Sequence, residues 1–213
     1  MRTCHFLALI FSLASTCLAQ SISLGVIGGV RATDDLTSGV VDSGSKRYLI
    51  GPTLEVGLPL RLSVEFDAIY RRQGYQGAYG NFAFSTLEGE RANSWEFPML
   101  VKYRMPFPLM KPFAEIGYAP RVINGTITGD SILRVPTVQP PVHYSNKTDW
   151  QTSHGIVIGG GVDAGIGRLR LSPGVRYTRW NNTAISVFIS DGPAFHSTQN
   201  QVDVVLGVRW KFH

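Results

Sequence analysis

The chain has 213 residues, room for one ordinary domain and too few for two. Its formal charge of +5 comes from basic residues scattered along the sequence, which leaves no basic stripe of the kind nucleic acid requires. Charged residues make up only 16% of the chain and Gly is high at 23, a balance that disfavours long helices and suits tightly packed strands.

The first predicted element is a leader. Arg2 supplies a positive start, Phe6 to Leu13 an apolar run, and Thr16-Cys17-Leu18-Ala19 a small-residue cleavage site before Gln20. That is the pattern of a secretory signal peptide over residues 1–19, with residues 20–213 as a single mature domain. The run is too short for a transmembrane helix, and polar, strand-like sequence follows it. Lipidation of Cys17 is the alternative, but Ala14-Ser15-Thr16 is a poor approach to it. Both cysteines, Cys4 and Cys17, fall in the leader, so the mature chain is expected to carry no disulfide and no thiolate metal site, as suits an oxidising periplasm. No later window offers roughly eighteen consecutive apolar residues, so a membrane crossing falls to strands.

Eight alternating segments follow in order: Ile22 to Arg31, Tyr48 to Leu58, Arg61 to Arg71, Ser94 to Arg104, Phe113 to Val122, His154 to Gly165, Arg168 to Thr178, and Gln201 to Phe212. Side chains alternate along a strand, so parity sorts each segment into two faces. In the third, Leu62, Val64, Phe66, Ala68 and Tyr70 oppose Ser63, Glu65, Asp67 and Arg71. In the fourth, Trp95, Phe97, Met99, Val101 and Tyr103 oppose Glu96, Lys102 and Arg104. The last sets Val202, Val204, Leu206, Val208, Trp210 and Phe212 against Asp203, Arg209 and Lys211. No Asp, Glu, Lys or Arg falls on an apolar face, as lipid exposure demands, since Arg or Lys at mid-membrane costs about 2–4 kcal/mol.

A soluble barrel with its apolar face inward shows the same alternation, so four further features carry the choice, the C-terminal strand being the last of them. Links after the second, fourth and sixth segments are short: Leu58 to Leu60, Met105 to Pro112, and Gly165 to Gly167. Links after the others are long: Ala32 to Arg47, Arg72 to Asn93, Ile123 to Ser153, and Arg179 to Asn200. Short periplasmic turns alternating with long external loops are typical of outer-membrane barrels. Aromatics also form two belts, Tyr48, Tyr70, Trp95 and Tyr177 at the long-loop ends and Tyr103, Phe113, Trp210 and Phe212 at the short-turn ends. The charged face carries Gly51, Gly117, Gly159, Gly161 and Gly174 among others, small residues that fit beside long charged ones in a crowded lumen.

The C-terminal run Val202-Asp203-Val204-Val205-Leu206-Gly207-Val208-Arg209-Trp210-Lys211-Phe212 resembles the closing strand of bacterial outer-membrane proteins, with His213 as one residue more than the family pattern. With the leader and the hairpin pattern, the whole mature chain resembles the small outer-membrane β-barrel families typified by OmpA and OmpX. The resemblance implies an all-β, eight-stranded antiparallel up-and-down transmembrane β-barrel in the cell outer membrane of a Gram-negative-type bacterium. It also implies recognition of the last strand by the barrel-insertion machinery. The strand count stays open between eight and ten, because Ala184 to Ile189 or Asn81 to Ser85 would supply extra strand.

By parity the lumen receives Arg31, Glu55, Glu65, Asp67, Arg71, Glu96, Lys102, Arg104, Glu115, Arg121, Asp163, Arg170, Arg176, Asp203, Arg209 and Lys211. An eight-stranded barrel has an interior about filled by side chains, and buried charges persist when paired, so a salt-bridged plug is expected. A gated ion path through these pairs is the alternative. Glu65 and Asp67, two apart on one face among bases, suit an ion-pair network better than acid/base chemistry.

His143-Tyr144-Ser145-Asn146 resembles the His-x-Ser-Asn motif of the outer-membrane lipid A deacylases, which use His as base and Ser as nucleophile. In that family the motif follows an Arg-Tyr dipeptide on the strand before the last. Here Arg176-Tyr177-Thr178-Arg179-Trp180-Asn181 stands there, with Arg179 and Asn181 in the His and Ser places. The tetrapeptide falls instead in the longest predicted loop, beyond Pro140-Pro141. His154, His196 and His213 have no ligand spacing, and Gly159-Gly160-Gly161 opens no helix.

The expectation is therefore a monomeric structural or surface-exposed envelope component in contact with outer-membrane lipid. No catalytic, cofactor or metal residue is nominated, and no nucleic-acid partner is expected. A deacylase-like hydrolase, a narrow channel and a soluble ligand-binding barrel are the competing classes.

Overall fold

The computed structural model describes residues 21–34, 42–80, 83–107, 110–133, 137, 139–182, 186–187, 195–196 and 198–212. The predicted leader at 1–19 and His213 lie outside the described residues, as does most of Ala184 to Ile189.

Thirteen strands are described: β1 (Ile22–Arg31), β2 (Asp42–Ser43), β3 (Tyr48–Gly57), β4 (Leu62–Asp67), β5 (Ile69–Gly80), β6 (Phe84–Glu96), β7 (Met99–Arg104), β8 (Met110–Leu133), β9 (Val142–Ile166), β10 (Leu169–Trp180), β11 (Ser186–Val187), β12 (Phe195–His196) and β13 (Asn200–Phe212). Eleven belong to one antiparallel sheet, and β11 and β12 form a separate pair. Among the described residues, no helix is long and apolar enough to cross a membrane.

The count of eight strands is thus corrected to eleven in the sheet. Prolines supply the reason. Ala68 N–H donates to the Pro52 carbonyl at 3.1 Å, Asp67 N–H to Pro98 at 3.0 Å, and Phe97 N–H to Pro120 at 2.9 Å. None of the three prolines has an N–H with which to return the second ladder bond. Two walls expected to be continuous are therefore split, at Ala68 between β4 and β5 and at Phe97-Pro98 between β6 and β7. The short β2, paired to β5, adds the eleventh strand.

Taking each split wall as one stave, the pairings run in a closed ring. β1 pairs with β3, β3 with β4 and β5, β4 with β7 and β5 with β6. Then β6 and β7 pair with β8, β8 with β9, β9 with β10, β10 with β13, and β13 returns to β1. Val26 lies opposite both Pro52 and Val208, so the first strand is held on both sides.

The faces are those of a barrel with an apolar outer wall. Ser63, Glu65 and Asp67 are buried, while Phe66, Met99 and Val204 are exposed. The soluble ligand-binding barrel, which requires those three apolar residues inside, is contradicted. One belt residue also needs correction. Phe113 is buried, because it shares its parity with Glu115 and Arg121, and its ring lies 4.1 Å beneath Lys102 Nζ.

Backbones approach closely on the inner side of this tightly curved sheet. A Cβ on Gly51 would stand 1.8 Å from the Ala68 carbonyl oxygen, and one on Gly117 1.9 Å from that of Met99. Only glycine fits there.

Two predicted loops are mostly strand. β5 and β6 pair from Ile69↔Glu96 out to Gly80↔Ser85, and β8 and β9 pair out to Ser131↔Val142, with an irregularity between Ile123 and Gly125. Because β6 also pairs with β8 as far as Phe84↔Leu133, the two hairpins make a four-stranded flange beyond the long-loop end of the barrel. His143-Tyr144-Ser145-Asn146 accordingly lies on strand β9 and not in a loop.

Candidate functional site

Of the sixteen charged residues assigned inward by parity, all but Arg104, Arg170 and Lys211 are buried. The strands aim them there by simple alternation. Each inner-face residue is two positions from the next, so Glu55, Glu65, Lys102, Glu115, Arg176 and Arg209 converge from six strands.

Toward the short-turn end they form a dense ionic layer. Arg176 is forked among three carboxylates: Nε to Glu115 at 2.7 Å, Nη1 to Asp67 at 2.6 Å and Nη2 to Glu65 at 2.7 Å. Lys102 Nζ meets Glu65 at 2.5 Å and Glu115 at 3.4 Å. Arg209 bonds Glu65 and Ser172, and its Nη1 lies 3.0 Å from Glu55. Arg104 joins Glu55 at 2.6 Å and Asp163 at 2.5 Å, and Arg170 holds the other oxygen of Glu55 at 2.6 Å. Acids and bases balance in this layer: Glu55, Glu65, Asp67, Glu115 and Asp163 against Lys102, Arg104, Arg170, Arg176 and Arg209. Glu65 and Asp67 thus share one arginine, the ion-pair arrangement anticipated for them.

Toward the long-loop end lies a smaller polar layer. Arg71 makes a bidentate pair with Asp203 at 3.0 and 2.6 Å and approaches Glu96 at 2.9 Å. Gln201 bridges from Asp203 at 2.9 Å to the indole N–H of Trp180 at 3.0 Å. Arg121 stacks over Trp180 at 3.8 Å and donates to Ser153 at 2.9 Å.

Apolar side chains of the same parity as the charged ones also line the lumen. Ile27, Leu49, Ile69 and Val205 form one buried apolar cluster, and Leu100, Ala119, Val157 and Trp180 another. Trp180 is only 1% exposed, although it falls past the expected end of its strand. Its parity with Arg176 and Thr178 was the available signal, and the following Asn181-Asn182 masked it.

The His-x-Ser-Asn segment lies on the outer part of β9, paired with β8. His143 Nδ1 is bonded to Asp130 across the hairpin, and no hydrogen bond joins His143 to Ser145 among the described residues. Tyr144 and Tyr75 instead both donate to Glu88, at 2.8 and 2.7 Å, beside a concavity of about 390 Å³. No group of three metal-ligating side chains occurs among the described residues.

No family model and no curated protein matches the sequence. Solved structures do. A major outer membrane protein of Thermus thermophilus aligns over 91% of this chain and 100% of its own, with a TM-score of 0.53 at 11% identity. The N-terminal β-barrel domain of Pseudomonas aeruginosa OprF covers 90% and 97% of the two chains, with a TM-score of 0.43 at 10% identity. Neisserial surface protein A covers 91% and 97%, with a TM-score of 0.45 at 12% identity. Identities this low bear on the fold alone, and the Thermus structure carries that comparison: in fold, this chain is similar to the outer-membrane β-barrels.

Proposed function

We propose that the chain is an integral, monomeric protein of the bacterial outer membrane, a structural or surface-exposed envelope component whose lumen is plugged by its own ion pairs. One observation carries this: burial is inverted, with Lys102 1% and Leu206 47% exposed. An apolar outer wall belongs in lipid, where every strand hydrogen bond must be closed within a barrel. The forked Arg176, the Lys102 cluster and the two apolar clusters fill the interior that a conducting path requires. The last strand, paired with β1 over ten positions, closes the ring and is the element available to insertion machinery.

Two measurements test this. After envelope fractionation, the chain is expected with the outer membrane and resistant to high-salt extraction, and recovery as a soluble periplasmic protein refutes the membrane reading. The refolded chain in planar bilayers is expected to give no conductance steps. Steps abolished by Lys102→Met would instead establish a gated path.

A further inference from the structure

The three short-turn links and both ends of the described barrel gather at one mouth, where cations outnumber acids. Arg104, Lys111, Asp163, Arg168, Arg170 and Lys211 line a cavity of about 260 Å³ there. Its one acid is already committed, since Asp163 accepts from Arg104 and from Ser172, each at 2.5 Å. Arg104 and Arg170 are likewise tied to Glu55. Lys111, Arg168 and Lys211 have no carboxylate within 4.0 Å among the described residues.

The fold places these three cations together. Gly167, at a φ of +63°, turns the chain between β9 and β10 and delivers Arg168 to the rim. Lys211 N–H then donates to the Arg168 carbonyl at 2.9 Å, fixing the two residues side by side. Lys111 stands opposite Asp163 in the β8–β9 register. Three uncompensated cations, from β8, the β9–β10 turn and β13, around one cavity suit an anion with several oxygens, with the guanidinium forking onto two and the ammonium groups meeting others. Outward-facing Trp210, Phe212, Ile166 and Met110 flank the same rim and offer apolar surface to an acyl chain.

We propose that this mouth binds a phosphate group, borne either by an anionic phospholipid headgroup or by a free phosphate anion. The lipid source rests on the membrane reading above; the free-anion source does not. Calorimetric titration of the full chain, refolded in a maltoside detergent, with inorganic phosphate and separately with dihexanoyl phosphatidylglycerol tests it. Heat-dependent gel mobility checks the fold. Binding is expected for at least one probe and is expected to weaken by about tenfold or more in the Lys111→Gln, Arg168→Gln, Lys211→Gln triple variant. Lys111→Gln alone, on an exposed rim residue, is expected to weaken it measurably should the triple variant fold poorly. Lys147→Gln, on the distant flange, should leave it unchanged. Saturation by the lipid alone identifies a headgroup site, and saturation by phosphate identifies a free-anion site. Failure of both probes to bind the native chain, or equal affinity in the rim variants and the native chain, overturns the proposal.

Discussion

Arg176 shows how single residues hold this interior together. Its three nitrogens each serve a different carboxylate, Glu115 on β8 and both Asp67 and Glu65 on β4. Removing one partner of a buried ion cluster leaves charges desolvated and uncompensated, which costs about 3–5 kcal/mol. Arg176→Met is therefore expected to destabilise the barrel by that amount, read as a lower urea midpoint in detergent. The exposed pair Arg47–Asp34, at 2.6 Å, provides the contrast, and Arg47→Ala should change stability by no more than about 1 kcal/mol. On the outer wall the sign of the rule reverses. Leu206→Arg places a charge in lipid and is expected to cost about 2–4 kcal/mol, measured by the same unfolding experiment in bilayers. An unchanged midpoint for Leu206→Arg would show that this wall does not face lipid.

Among the elements, the strands owe their shape to residues that cannot donate or cannot carry a side chain. Pro52, Pro98 and Pro120 interrupt the ladder on neighbouring walls, and Gly51 and Gly117 allow the closest backbone approaches. Gly51→Val is expected to force β3 from β5 and abolish folding, seen as loss of the heat-dependent shift on gels. Pro98→Ala restores a donor without adding bulk and should leave the barrel folded. Sequence alternation located the wall segments because lipid lies on one side of them and packed charge on the other. It left the flange as loops because no apolar period runs through it, although Gln73, Tyr75, Thr86 and Glu90 occupy one buried face there. Proline breaks were equally hidden, since a missing N–H alters hydrogen bonding and leaves parity untouched.

For the whole molecule, the barrel and the flange are separable in their hydrogen bonding. The ring of pairings closes below Trp180↔Gly155, whereas the outer halves of β5, β6, β8 and β9 bond to one another, to the short β2 and, from β5, to Ser45 and Lys46. Excising 125–148 and joining Asn124 to Asp149 through an Asn-Gly turn is expected to leave a folded, heat-modifiable barrel. Failure of that variant to fold would show that the flange is needed for closure. The proposed plug carries a matching electrical expectation, no conductance steps, because an ionic layer, a polar layer and two apolar clusters share the lumen.

The amino-acid sequence by itself determined the all-β class, the two-faced strands, the inward charge set and the asymmetry of the two ends. Those features follow from period-two alternation and local turn chemistry, which are written in neighbouring residues. Tertiary structure decided how the inward charges pair, and that Phe113 packs under Lys102 and Trp180 under Arg121. It also decided that the barrel's own ladder runs on into a flange, and that Lys111, Arg168 and Lys211 share one mouth. Those depend on which strands become neighbours when the sheet closes, and residues as far apart as Arg71 and Asp203 meet only then.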